Sequence, residues 1–154
     1  MQTAKQLSVS LVNKPGRLAA MLTALAKKKV NLQALAVMDS GDRGTVRFVP
    51  NPDHFAAATE VLDQLNVRYE PSEVLMVEVP NQPGAFRKIC ERLAAEHLNI
   101  DYAYASFTEG SVKKGGWAII KVNDLAKAQK VLGVNGNSTP RKKLPVRRPP
   151  VRNR

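Results

Sequence analysis

Asn81-Gln82-Pro83-Gly84-Ala85-Phe86 lies between a strand-like apolar run and an amphipathic helix-like run, and 68 positions earlier Asn13-Lys14-Pro15-Gly16-Arg17-Leu18 occupies the same setting. In each copy a short polar residue precedes Pro-Gly, and the following residues begin a helix whose first backbone N–H groups have no partner inside it. Upstream, Leu7, Val9 and Leu11 alternate with Gln6, Ser8 and Ser10, the period of a half-buried strand. Downstream the period changes: Leu18, Met21, Leu22 and Leu25 fall at helical spacing, and Lys27-Lys28-Lys29 close the helix, where cations suit the carbonyl-rich end.

The order continues with a strand over Val30 to Met38, a hairpin loop at Ser40-Gly41-Asp42-Arg43-Gly44 and a strand over Thr45 to Val49. A helix runs from Asn51-Pro52-Asp53 to about Leu65, and Val67 to Glu70 forms a short fourth strand. The same order then begins again. Leu75, Val77 and Val79 match Leu7, Val9 and Leu11, and Leu98-Asn99-Ile100 matches Val30-Asn31-Leu32 at one offset. The second hairpin loop, through Thr108-Glu109-Gly110 and Lys113-Lys114-Gly115, is longer, as hairpin tips tolerate. After Leu132 the run Gly133-Val134-Asn135-Gly136-Asn137 is too glycine-rich for a fourth strand, so that edge is either absent or supplied by another segment. The expected fold is α+β: two ferredoxin-like βαββαβ units, residues 4–70 and 73–133, joined by Pro71-Ser72, each an antiparallel four-stranded sheet with two helices on one face.

The paired Asn-x-Pro-Gly turns, followed by the Asn31-Leu32 and Asn99-Ile100 openings of each second strand, resemble tandem ACT domains, in particular small stand-alone proteins made of two of them. The resemblance covers roughly residues 4 to 133. It implies a regulatory module that senses a small amino acid at a domain–domain seam, between the Pro-Gly turn of one domain and the second strand of a neighbour. By that analogy Asn31 and Leu32 face the Asn81 turn, and Asn99, Ile100 and Asp101 face the Asn13 turn. Where many ligand-binding members carry Asp, this chain has Asn13 and Asn81. The implied partners are the amino acid, a second copy of the chain in a homodimer or larger assembly, and an enzyme that it regulates.

The residues themselves fit that reading. Free N–H groups around Gly16-Arg17 or Gly84-Ala85 and the positive helix end suit a carboxylate, and the carbonyl oxygen of Asn13 or Asn81 suits an ammonium. The same turn is equally a good way to start a helix, with Pro and Gly setting the backbone and Asn capping it, which leaves a non-binding assembly scaffold open.

The charge is uneven. Of 24 basic residues seven lie in 134–154, which has no acidic residue, so the first 133 positions hold 17 basic against 13 acidic. This tail interleaves its cations with Pro140, Pro145, Pro149 and Pro150 and reads as disordered, with nonspecific contact to nucleic acid as an alternative role. The βαββαβ order is also that of an RNA-binding motif, but the first and third strands offer only Phe48, which alternation turns toward the core.

Cys90 is the only cysteine, and with His54 and His97 the only imidazoles no closed zinc site of Cys and His can form. Cys90 occupies the helix-face position of Leu22 and reads as a core thiol. No catalytic constellation, metal site or cofactor is expected. Nor is a signal peptide or membrane span, so a cytoplasmic protein is expected. Val74, Met76, Trp117 and Ile119 make the uncovered sheet face of the second unit apolar where the first has Gln6, Ser8, Thr45 and Arg47, which predicts burial against the other domain or a second chain.

Overall fold

The computed structural model describes residues 1–106 and 115–133. Most of the inserted hairpin loop and the whole basic tail, including the run from Val134, lie outside the described residues. The elements follow the repeated order. The first unit has β1 (Gln2–Val12), α1 (Arg17–Lys27), β2 (Leu32–Ser40), β3 (Arg43–Pro50), a single 3₁₀ turn at Pro52–His54 and α2 (Phe55–Gln64). Then come β4 (Arg68–Val79), α3 (Ala85–Ala95), β5 (Ile100–Ser106), β6 (Gly116–Val122) and α4 (Leu125–Gly133).

Three helices end the same way. Lys29, Asn66 and His97 take positive φ of 57°, 52° and 56°. The next N–H, of Val30, Val67 or Leu98, reaches back to the carbonyl of Leu25, Leu62 or Leu93 at 3.0, 3.3 and 3.0 Å. This reverse turn satisfies carbonyls that the helix leaves open and seats an apolar residue under its last turn. His97 and Lys29, which stand 68 positions apart like the two Pro-Gly turns, therefore share this backbone conformation.

The expectation of two four-stranded sheets is corrected. There is one six-stranded antiparallel sheet, ordered β2-β3-β1-β4-β6-β5. Pro71 and Ser72, read as a joint, lie inside β4 opposite Leu7 and Gln6 of β1. The two central strands run past one another over most of their length, from Gln2↔Met76 to Ser10↔Arg68. Arg68 to Ser72 thereby serve as the fourth strand of the first unit, and Gln2 to Lys5 serve as the fourth strand of the second. Shifting the pair Leu7↔Pro71 by the 68-residue repeat gives Leu75 and Thr3, which are also partners, so the register obeys a two-fold relation between the halves.

Proline is tolerated at position 71 because β6 joins β4 only from Leu75 onward. Its missing N–H interrupts no ladder on that side.

Cross-strand partners share a face, and Thr3, Leu7, Val9, Leu75 and Val77 all lie on the helix side. Two cores form there. One gathers Leu7, Val9, Met21, Leu25, Phe48 and Leu62; the other gathers Leu75, Val79, Leu93, Ile120, Ala128 and Leu132. On the opposite face a third cluster joins Val49, Val74, Met76 and Ile119, with Ala4, Ala34 and Tyr104 packed against it. Its members come from strands at both ends of the sheet, so the helix-free face is curled inward. The apolar open face of the second unit is covered by the first unit of the same chain, except Trp117, which stays 41% exposed.

Gln6 sits at the centre of this concave face and is fully buried. Its amide donates to the Tyr102 hydroxyl and to Ser72 Oγ at 3.4 Å, and its carbonyl accepts from the Tyr104 hydroxyl at 2.8 Å. A buried amide is stable only when so satisfied. Burial, and then the neighbouring Tyr102 phenol, push the Tyr104 pKa well up against the opposing pull of Arg47, so Tyr104 keeps its proton as the donor.

Candidate functional site

At both repeated turns the backbone, not a side chain, starts the helix. Gly16 (φ 84°, ψ −12°) and Gly84 (φ 79°, ψ 1°) are the cap residues of α1 and α3, and neither helix has a side-chain cap bond. Arg17 N–H donates to Lys14 O at 3.3 Å and Ala85 N–H to Gln82 O at 3.2 Å. With Pro15 or Pro83 at the second corner and a left-handed glycine at the third, each is a type II turn. At the first turn the sequence reading of Asn as the cap is corrected. The Asn13 side chain instead donates to Asp39 Oδ1 at 3.3 Å and Gly41 O at 3.2 Å, which ties the turn to the tip of the β2–β3 hairpin.

The Arg17 and Ala85 N–H groups are thus used within the turns. The first bond of helical type runs from Ala20 to Gly16 O at 2.9 Å, and from Lys88 to Gly84 O at 3.1 Å. The N–H groups of Leu18 and Ala19, and of Phe86 and Arg87, lie ahead of those bonds, at the positive end of each helix.

The space beside the glycines is open. A Cβ on Gly16 would meet no atom within 4 Å, and one on Gly84 would meet only the Arg87 guanidinium, with Nε at 3.6 Å. The second turn opens into a depression of about 440 Å³ lined by Asn81, Gln82, Gly84, Phe86 and Arg87. Arg87, which also pairs with Glu91, is a cation at this mouth that the sequence analysis did not single out. Its spacing, one helical turn from Gly84, was the available signal.

The second-strand openings lie elsewhere. Asn31 N–H donates to His54 Nδ1 at 3.0 Å and Asn99 N–H to Asn123 Oδ1 at 3.0 Å, while Asn31 O and Asn99 O accept from the N–H of Asn51 and Asn123. Asn99 Nδ2 also donates to Asp101 Oδ1 at 3.0 Å. Two strands stand between β2 and β4, and two between β5 and β1. Within one chain, therefore, Asn31 and Leu32 are not sheet neighbours of the strand that feeds the Asn81 turn. The same holds for Asn99, Ile100 and Asp101 and the strand that feeds the Asn13 turn.

His54 accepts at Nδ1 and so carries its proton on Nε2. His54→Ala is expected to cost about 1 kcal/mol by leaving the Asn31 N–H unpaired. His54→Asn should recover part of it, because a side-chain amide oxygen can accept that N–H, as Asn123, at the place of Asn51, does for Asn99 in the second half. Urea unfolding midpoints of the two variants check this, and equal losses would refute the role.

A further cleft of about 440 Å³ lies where the halves meet, between Lys5 and Glu73 and the apolar Pro50, Pro52 and Phe55. The Lys5 ammonium stands 5.1 Å from the Phe55 ring centroid. Among the described residues no three His, Cys, Asp or Glu side chains group as metal ligands, and no helix is long and apolar enough to cross a membrane.

Comparison with known proteins finds a match to the sequence profile of the ACT domain pair over residues 2–138. A crystal structure of a protein from Bacteroides thetaiotaomicron is similar at 32% identity and a TM-score of 0.75, covering 85% of this chain and 87% of that one. The ligand-free regulatory subunit of aspartate kinase from Thermus thermophilus shares the fold at 17% identity and a TM-score of 0.63, covering 85% and 88%. The corresponding subunit from Thermus flavus does so at 15% and 0.59, covering 85% and 92%. No curated protein matches.

Proposed function

The chain belongs to the family of ACT domain pairs, and on that premise we propose that it is a regulatory, non-catalytic module that binds a small amino acid at one or both Pro-Gly turns and passes its occupancy to an enzyme. The observation that carries this reading is the pair of type II turns, related by the internal repeat, each placing a glycine with open space beside it at the positive end of a helix. Such a mouth suits a carboxylate, and in the second turn Arg87 adds a fork of donors. The Asn13 and Asn81 carbonyls suit the ammonium, and side chains such as Leu18 and Phe86 then sort ligands by size. The fold shared with aspartate kinase regulatory subunits agrees with an enzyme as the listener.

A second copy of the chain would complete the site. The openings at Asn31-Leu32 and Asn99-Ile100-Asp101 are two strands from the opposite turn within one chain, so their meeting needs a neighbour. Edge strand β2 suits that contact, since it exposes Leu35, Val37 (53%) and Met38 along an unpaired rim. Ligand that favours one pairing over another is sufficient for a switch.

Thermal unfolding with each standard amino acid in turn tests the proposal. One or a few should raise the midpoint by roughly 5–10 °C at a hundredfold excess over Kd. Gly84→Ala or Gly16→Ala should abolish the rise, because a Cβ strains the left-handed turn and fills the mouth. No response across the panel, or an unchanged response in both variants, would refute it.

A further inference from the structure

The curl of the sheet creates a second concavity, whose lining shares no residue with that of the Asn81 turn. It encloses about 660 Å³ on the helix-free face, between Ser8, Thr45 and Arg47 of the first half and Ser72, Tyr102 and Lys121 of the second. Arg68 and Glu70 stand at its exposed rim. Three cations thus face one carboxylate, and the remaining polar lining is hydroxyls, which both donate and accept.

Arg47 is the unusual member. Its guanidinium lies flat on Tyr102, Cζ 4.0 Å from the ring centroid, which fixes its orientation. No carboxylate pairs with it among the described residues. Its hydrogen-bond acceptor is the Met38 sulfur at 3.6 Å, a weak one, and Nε is buried with none. A cation partly withdrawn from water ordinarily has an anionic partner, and among the described residues none stands here. The phenol beneath it is itself held by Gln6, so the whole arrangement is preorganised.

We propose that this concave face binds a small organic dianion, its negative groups held by Arg47 and Lys121 and its remaining oxygens by the lining hydroxyls. Two negative charges balance the excess of three cations over Glu70. The guanidinium fork accepts a carboxylate or a phosphate alike. Because the lining comes from both halves, the ligand ties β3 and β1 to β5 and β6 and tightens the curl. The proposal depends on the sheet and not on the amino-acid reading of the turns.

Isothermal titration of the full chain with succinate, and separately with inorganic phosphate, at fixed ionic strength and pH 7.5 tests it. At least one should bind saturably, and which one identifies the anionic group. Arg47→Gln and Lys121→Gln should each weaken that binding about tenfold or more, while Gly84→Ala, which alters the turn, should leave it unchanged. If Arg47→Gln fails to fold by far-ultraviolet circular dichroism, Lys121→Gln decides, because that side chain enters from another strand and, among the described residues, makes no bond that holds the curl. Absence of saturable binding by the unaltered protein, or equal affinity in the folded variants, would overturn the proposal.

Discussion

A chain that starts at Gln6 is expected to lose most of its stability, although the five residues removed include no member of either main core. Gln2, Thr3, Ala4 and Lys5 pair with Met76, Leu75, Val74 and Glu73. Losing that stretch forfeits about four ladder bonds at roughly 1 kcal/mol each. It also uncovers Val74 and Met76, now 0% and 5% exposed, on the side where Ala4 packs. Partial exposure of two such side chains adds about 2–4 kcal/mol. The total, about 6–8 kcal/mol, compares with the whole stability of a domain of this size, about 5–15 kcal/mol. The truncated protein should melt at least 15 °C lower or associate through the bared edge of β4. A melting point within 3 °C of the full chain, in a monodisperse sample, would show that the borrowed strand is dispensable.

Gly115→Ala should be nearly as damaging, for a steric reason. A Cβ there would lie 2.6 Å from the Val79 carbonyl carbon and 2.9 Å from Pro80 Cα. Both are backbone atoms, which cannot swing aside as a side chain can, so the start of β6 must move off the end of β4, where Val79 pairs with Gly116. The expected cost is about 3 kcal/mol. Because Pro80 leads directly into the Asn81 turn, displacement there should also weaken any ligand response of the second turn while sparing the first. Gly44→Ala is the control: its Cβ would meet Met38 O at 3.2 Å, a contact that a small shift relieves, and its cost should stay under about 1 kcal/mol. Denaturant unfolding of both variants measures the contrast, and equal destabilisation would refute the account.

Much of this molecule could be read from residues alone because local periodicity and local turn chemistry agree. Leu7, Val9 and Leu11, and their counterparts Leu75, Val77 and Val79, point to the helices as alternation requires, and Phe48 is buried as its position predicts. Pro-Gly marked both helix starts. Strand partnership was less accessible, because a ladder is chosen by the tertiary arrangement and not by the strand's own pattern. Pro71 looked like a break between Glu70 and Glu73, yet it lies where one side of β4 is unpaired. The missing edge of the second half was legible only as a vacancy; that Gln2 to Lys5 fill it could not be inferred from their composition.

For the candidate site the residue types at the turns were legible and their partners were not. Asn13 is spent on the hairpin, an engagement that depends on where Asp39 and Gly41 come to rest. The pairing of His54 with Asn31 joins positions 23 residues apart and has no signature in either neighbourhood. Arg47 read as an ordinary polar position on an uncovered face, because nothing local announces that Tyr102 will arrive above it.

The borrowing of Gln2 to Lys5 by the second half has a consequence for the newborn chain. Gln2 to Lys5 acquire their partners only when Glu73 to Met76 have emerged from the ribosome, so this stretch stays open while the first half, which carries its own fourth strand at Arg68 to Ser72, is made. At about 5–20 residues per second its amino-terminal strand waits for seconds, half paired. The second half is therefore never a finished unit by itself: it closes only onto a strand that the first half already holds.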